Sequence, residues 1–234
     1  MSSLEEATLA SRLSAVQSQI DTAAVSAGRQ PTDITLIVVT KFHPAQLVRD
    51  LSQLGVRDVG ENKHQEAAEK FAECSDIAVN WHFIGQLQSN KAAAVRRYAH
   101  AIHSVDRTSL IDALERAGAS ADNPERLDCF LQVNLTDDPG RGGVAWDEID
   151  VTAQRLAGAA TLRMAGVMAV APLDMEPAQA FERVWQASQL VKSIDPAAVG
   201  ISAGMSHDFR EAIAAGATHL RIGTHITGKR AIPG

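Results

Sequence analysis

Aromatic residues are scarce, at 4% of 234 residues, with Tyr98 the only tyrosine. That scarcity argues against a base-stacking platform for single-stranded nucleic acid. Basic residues are not in excess. Lys and Arg number 22 against 28 Asp and Glu, giving a formal net charge of −6 and a pI near 5.7. Broad binding to nucleic acid or to anionic membranes is therefore not expected. The two cysteines, Cys74 and Cys129, form no CxxC pair and no disulfide framework, so a reducing, cytoplasmic home fits. No apolar run is long enough to span a membrane, and no basic-then-apolar leader opens the sequence. The eight histidines include no HExxH. His100 and His103 are expected on a helix end and a strand, so no metal centre is expected. No repeat, low-complexity tract or long linker divides the chain, and residues 1–234 are expected to form a single domain.

What is present is an alternation of short apolar runs and amphipathic stretches. Strands are expected at 34–39, 57–59, 81–84, 101–104, 127–133, 162–168, 199–202 and 218–222. Helices are expected near 45–54, 62–73, 89–98, 107–117, 147–157, 176–193 and 206–215. Strands apolar on both faces suit a parallel sheet covered by helices. Eight of them suit an α/β fold closed as a single (β/α)₈ TIM-type barrel. An open doubly wound sheet is the alternative, but no GxGxxG turn follows a strand. An additional N-terminal helix is expected over residues 3–27, stopped by Gly28. The chain ends soon after the eighth strand, so this helix is positioned to cover a short or missing last outer helix. Residues 136–145, with three glycines and a proline, suit a mobile loop after strand five.

Polar residues gather where the strands end. Lys41 follows Leu36-Ile37-Val38-Val39, and Gly60-Glu61-Asn62 follows strand two. Further on come Gly85, Asp106, Gln132 with Asn134, Gly204-Met205-Ser206, and Arg221-Ile222-Gly223-Thr224. In a barrel, that end carries the active site. An amine at the mouth of an apolar strand is suited to Schiff-base chemistry; the plainer reading is a lysine reaching to solvent. Asn62, Asp106 and Ser206 also read as helix N-caps. Loops after strands seven and eight are a common phosphate site in barrels, and Gly204-Met205-Ser206 and Gly223-Thr224 fall there. Gly140-Arg141-Gly142-Gly143 lacks the Lys-Ser/Thr ending of a P-loop, and the adjacent Ser206-His207-Asp208 do not make a triad.

These residues resemble the pyridoxal phosphate homeostasis proteins. The run Trp81-His82-Phe83-Ile84-Gly85-Gln86-Leu87-Gln88-Ser89-Asn90-Lys91 looks like that family's signature. Val39-Thr40-Lys41, Gly60-Glu61-Asn62 with Gln65-Glu66, His103-Ser104-Val105-Asp106, Gly204-Met205-Ser206 and Arg221-Ile222-Gly223-Thr224 follow in the family's order, over about residues 34–228. The sequence departs from the pattern at Lys63-His64, where relatives commonly carry an aromatic and an apolar residue. It departs again at Arg141, where many carry lysine.

The resemblance implies a barrel similar to the N-terminal domain of alanine racemases, holding pyridoxal 5'-phosphate as a covalent aldimine at Lys41. It implies Ser206, Gly223 and Thr224 at the phosphate, Arg221 beside the pyridine nitrogen, Asn62 near the ring and His82 as a neighbour of the pocket. It implies a cytoplasmic binder that limits free aldehyde and supports amino-acid and keto-acid balance, with no defined catalytic reaction; PLP-dependent acceptor enzymes are candidate partners. A monomer is expected. A PLP-dependent amino-acid racemase or decarboxylase is the alternative. Against it, racemases add a β domain and a tyrosine base, for which this chain has no evident counterpart. A sugar-phosphate isomerase is the third reading.

Overall fold

The computed structural model describes residues 7–120, 126–136 and 138–228. Its strands are β1 (Thr35–Val39), β2 (Asp58–Glu61), β3 (Asn80–Phe83), β4 (Ala99–Val105), β5 (Leu127–Gln132), β6 (Leu162–Met168), β7 (Gly200–Ser202) and β8 (His219–Ile222). They close into a parallel barrel in chain order. Closure comes from β1 against β8, where Leu36 pairs with Leu220 and Ile37 with Arg221. The expected (β/α)₈ fold is therefore what the chain adopts.

The outer layer holds α1 (Leu9–Ser26), α2 (Ala45–Gln53), α3 (His64–Glu73), α4 (Ala92–Arg96), α5 (Thr108–Ala119), α6 (Ile149–Ala157), α7 (Pro177–Ile194), α8 (Phe209–Ala214) and α9 (Thr224–Thr227). Buried Ile20 and Ala24 of α1, Val48 and Leu51 of α2, and Leu110 and Leu114 of α5 join the layer between helices and barrel. The stretch expected as a helix over 89–98 is a 3₁₀ turn, Ser89–Lys91, followed by the short α4.

Helix α1 starts at the Thr8 cap, whose hydroxyl accepts from the Ser11 amide; the expected start at residues 3–6 lies outside the described residues. It stops as expected. Gly28 has φ +69°, and the Arg29 amide donates back to Ala24 O, the signature of a glycine-terminated helix. Helix α9 has only four residues, and α1 packs over it and α8. Arg12 Nε donates to Ile226 O at 2.7 Å, and Arg29 Nη1 to Ala217 O at 2.6 Å.

The barrel interior corrects the sequence reading. The strands are not apolar on both faces. Ala101, Phe130 and Met168 pack inside, but His82, His103, Ser202, His219 and Arg221 share that space. Such polar groups tolerate burial because they bond one another. His100 also lies on β4 and not at a helix end, edge-on to His82 at 5.5 Å.

The loop after β5 folds back along it. The Val144 amide donates to Gln132 O at 2.8 Å and the Asn134 amide to Val144 O at 3.0 Å. Asn134 Oδ1 also accepts from the Thr136 amide.

Candidate cofactor site

Lys41 stands just past β1 at the C-terminal end of the barrel, between the ends of β2 and β8. Its backbone is fixed from below by a buried cluster. Thr40 Oγ1 donates to Glu61 Oε1 at 2.6 Å. Lys70 Nζ donates to Thr40 O at 2.8 Å, and to Glu61 Oε1 and Glu66 Oε1 at 2.7 Å each. The Phe42 amide donates to the same Glu66 oxygen. Both neighbours of Lys41 are thus tied to one acid–base group. Burial pushes the Glu61 carboxyl above its ordinary value, against the pull of Lys70 and Thr40.

Phe42 is the one non-glycine residue with positive φ among those described, at +68°. For an aromatic residue this is a strained backbone, held here by the Glu66 bond. Lys63 Nζ lies 5.6 Å from the Phe42 ring centre, and His64 stacks on Tyr98. That is where the Lys63-His64 departure from the family pattern points. Tyr98 lies between α3 and the end of α4, its hydroxyl 3.3 Å from His64 Nδ1 and its ring against Phe71.

The Lys41 ammonium itself is half-buried and has no hydrogen-bond or ion-pair partner among the described residues. This separates it from Lys70, whose charge is matched by two carboxylates. Asn62 follows Glu61 at the same rim. Its Oδ1 is buried without a partner, and a buried acceptor left open is a costly feature unless a ligand fills it. Gly85, at the end of β3, makes the fit tight: a Cβ there would lie 2.0 Å from the Asn62 carbonyl oxygen.

The cap readings do not hold. The N-cap of α3 is Lys63, of α5 Arg107 and of α8 Asp208, so Asn62, Asp106 and Ser206 do not cap these helices. Asp106 pairs with Arg107 instead. Ser206 sits, nearly buried, in the turn between β7 and α8. The Met205 amide donates to Asp208 Oδ1 at 2.6 Å and shapes that turn. Gly204 has φ +91°, and a Cβ would lie 2.7 Å from Ala212 Cβ. Its carbonyl accepts from the Arg221 amide. Gly223 lies against Val39, 3.5 Å from it at the Cβ position. The amides of Thr224 and His225 precede the first bond of α9, from Ile226 to Gly223 O.

Arg221 is buried inside the barrel. Nη1 donates to Ser202 Oγ at 2.6 Å and Nη2 to Ala169 O at 2.9 Å. Burial lowers its pKa to about 10, with Asp208 acting the other way, so it stays charged at neutral pH. Among the described residues no carboxylate bonds it. Lys41, Asn62, Ser206, Gly223 and Thr224 thus share one rim, and Arg221 lies below it. Lys70, Ser202 and Ala169 were not anticipated. Glu66 and Lys70 at i,i+4 spacing were the available signal for the first; nothing local marks the other two. Among the described residues no cluster of His, Cys, Asp and Glu fits a metal ion, and no helix is long and apolar enough to cross a membrane.

An amine, an open acceptor and a buried guanidinium thus gather toward the C-terminal end of this parallel barrel. The sequence model described as "Alanine racemase, N-terminal domain" matches residues 12–231. A Mycobacterium tuberculosis protein named pyridoxal phosphate homeostasis protein is 39% identical, covering 96% of this chain and 94% of its own. The Escherichia coli protein of the same name is 35% identical, over 95% and 97%. PipY of Synechococcus elongatus, solved with PLP bound, superposes with a TM-score of 0.83 at 32% identity, over 94% of this chain and all of that one. The chain belongs to the pyridoxal phosphate homeostasis proteins of the alanine racemase N-terminal-domain family. Alanine racemase from Corynebacterium glutamicum, at 16% identity and a TM-score of 0.67, shares the fold, with 61% of its length covered.

Proposed function

We propose that this protein is a pyridoxal phosphate binder of intracellular homeostasis, acting in the cytoplasm as a monomer through one domain spanning residues 1–234. The observation that carries the reading is the Lys41 amine, unpartnered among the described residues, at the same rim as the unpartnered, buried Asn62 Oδ1, in a chain whose relatives bear that name. Lys41 would hold pyridoxal phosphate at its aldehyde carbon through Nζ. Ser206, Gly223 and Thr224 hold the phosphate through hydroxyls and backbone amides. Arg221 would face the ring nitrogen, and Asn62 would bond the ring's polar edge.

When bound, this group supplies an electron sink for amino-acid chemistry. Arg221 limits that sink. A fixed guanidinium disfavours a second positive charge on the ring nitrogen, yet donates a hydrogen bond that orients it. Tyr98, the only tyrosine, is engaged with His64 and Phe71. On this reading the protein holds and releases the cofactor without turnover. PLP-dependent acceptor enzymes are its partners.

The test is an absorbance titration of the purified protein with pyridoxal phosphate and with pyridoxal. A new near-ultraviolet or visible band, with pyridoxal bound much more weakly, is expected. Equal affinity for both removes the phosphate site. Robust racemisation or decarboxylation of amino acids, lost in Lys41→Ala, would replace the binder with an enzyme.

A further inference from the structure

Arg221 is one end of a longer chain. Its Nη1 donates to Ser202 Oγ. That oxygen lies 2.8 Å from His103 Nδ1. His103 Nε2 lies 2.9 Å from His82 Nδ1, and His82 Nε2 lies 2.9 Å from Asp58 Oδ1. Five side chains, from β8, β7, β4, β3 and β2, cross the barrel interior. Asp58 opens β2, so the chain runs from the cofactor side to the opposite rim. Ser202 and His103 are fully buried, and His82 and Arg221 nearly so.

Counting donors gives the chain a direction. A guanidinium only donates, so Ser202 Oγ accepts from Arg221. The single Ser202 hydroxyl proton then goes to His103 Nδ1. That places the His103 proton on Nε2, donated to His82 Nδ1. It places the His82 proton on Nε2, donated to the Asp58 carboxylate, which also accepts from Asn80 Nδ2 at 3.0 Å. The opposite polarity gives Ser202 two donors and strands its own proton in a dry interior.

The surrounding charges agree. Burial pushes the His103 pKa far below its ordinary value, and His82, His219, Arg221 and His100 push the same way. Burial likewise lowers His82, against Asp58 and Asp128. Burial alone would raise Asp58, but the bonds from His82 and Asn80 outweigh it and the carboxyl stays low. Two neutral imidazoles between a cation and a carboxylate match the donor count.

We propose that Ser202, His103, His82 and Asp58 are positioning residues that hold the Arg221 guanidinium against the cofactor ring through a one-way hydrogen-bond relay. This rests on the reading that Arg221 faces the ring nitrogen of pyridoxal phosphate.

Two measurements test it. In protein labelled with ¹⁵N-histidine, long-range ¹H–¹⁵N spectra report each imidazole's tautomer, with or without cofactor. His82 and His103 are both expected neutral and protonated on Nε2 at neutral pH. A proton on Nδ1 of His103, or a charged His103, overturns the relay. The second measurement uses pyridoxal phosphate labelled at its ring nitrogen. His103→Gln can offer Oε1 to Ser202 and Nε2–H to His82, so its ring-nitrogen shift should match that of the unmodified protein. His103→Phe and Ser202→Ala should each move that shift and weaken binding roughly tenfold, the scale of one hydrogen bond to a charged group. Folded variants with an unchanged shift and affinity would overturn the positioning role. Absence of any pyridoxal phosphate binding, with both tautomers as expected, would instead remove the cofactor reading and the positioning role with it.

Discussion

Lys70 Nζ lies 2.7 Å from Glu61 Oε1, with both side chains almost fully buried. Lys41 has no such partner among the described residues. The two lysines therefore answer differently to the same change. Lys70→Met leaves the Glu61 carboxylate buried without its cation and should cost about 3–5 kcal/mol of stability. Lys41→Met should change stability by no more than about 0.5 kcal/mol. Urea denaturation checks both. Equal losses would mean that Lys41 is also a structural lysine.

Gly85 and Asn62 give a steric prediction. Gly85→Ala places a methyl group 2.0 Å from the Asn62 carbonyl oxygen. The backbone must shift, at a cost of about 1–3 kcal/mol. Asn62 moves with it, so pyridoxal phosphate affinity should fall further than the stability loss requires. Equilibrium binding under conditions where the variant is fully folded separates the two effects. Unchanged affinity would take Asn62 out of the site.

Ser206 should contribute one hydrogen bond to the phosphate. Ser206→Ala is expected to weaken pyridoxal phosphate binding by about 1–2 kcal/mol and to leave pyridoxal binding unchanged. Equal loss for both ligands would indicate a general effect on the turn before α8.

Acid should destabilise the fold through its interior histidines. Burial lowers the His219 pKa from 6.5 to about 4, with Asp58 and Asp128 opposing. The unfolded chain takes up a proton near 6.5 and the folded one only near 4. The unfolded state therefore binds more protons in that window, and stability falls as pH drops through it. His219 alone accounts for roughly 3 kcal/mol. His82 and His103 act in the same direction, and Glu61, held high by burial, acts against them. Denaturation midpoints at pH 7.5 and 4.5 should differ accordingly. His219→Gln should flatten the profile, and a rise in stability on acidification would contradict this account.

The barrel was legible because branched apolar runs such as Leu36–Val39 and amphipathic stretches alternate with the right count. Gly28 marked a boundary that the structure keeps. The barrel interior was not legible. His82, His103 and Ser202 come from strands far apart in sequence, and their mutual hydrogen bonds appear only once the barrel closes. Lys41 and Asn62 were readable as rim residues by their place after strands, whereas Arg221 lies within β8 and points into the closed barrel. The Lys70 cluster that fixes Lys41 was hidden because a buried lysine on α3 looks, in sequence, like one on a solvated face.

Borohydride reduction of the protein with bound pyridoxal phosphate, followed by peptide mass mapping, tests the central assignment most directly. The pyridoxyl mass should fall on Lys41 and disappear in Lys41→Ala, which can still bind some cofactor noncovalently. A pyridoxyl mass mainly on Lys63, Lys91 or Lys229 in the unmodified protein would contradict it.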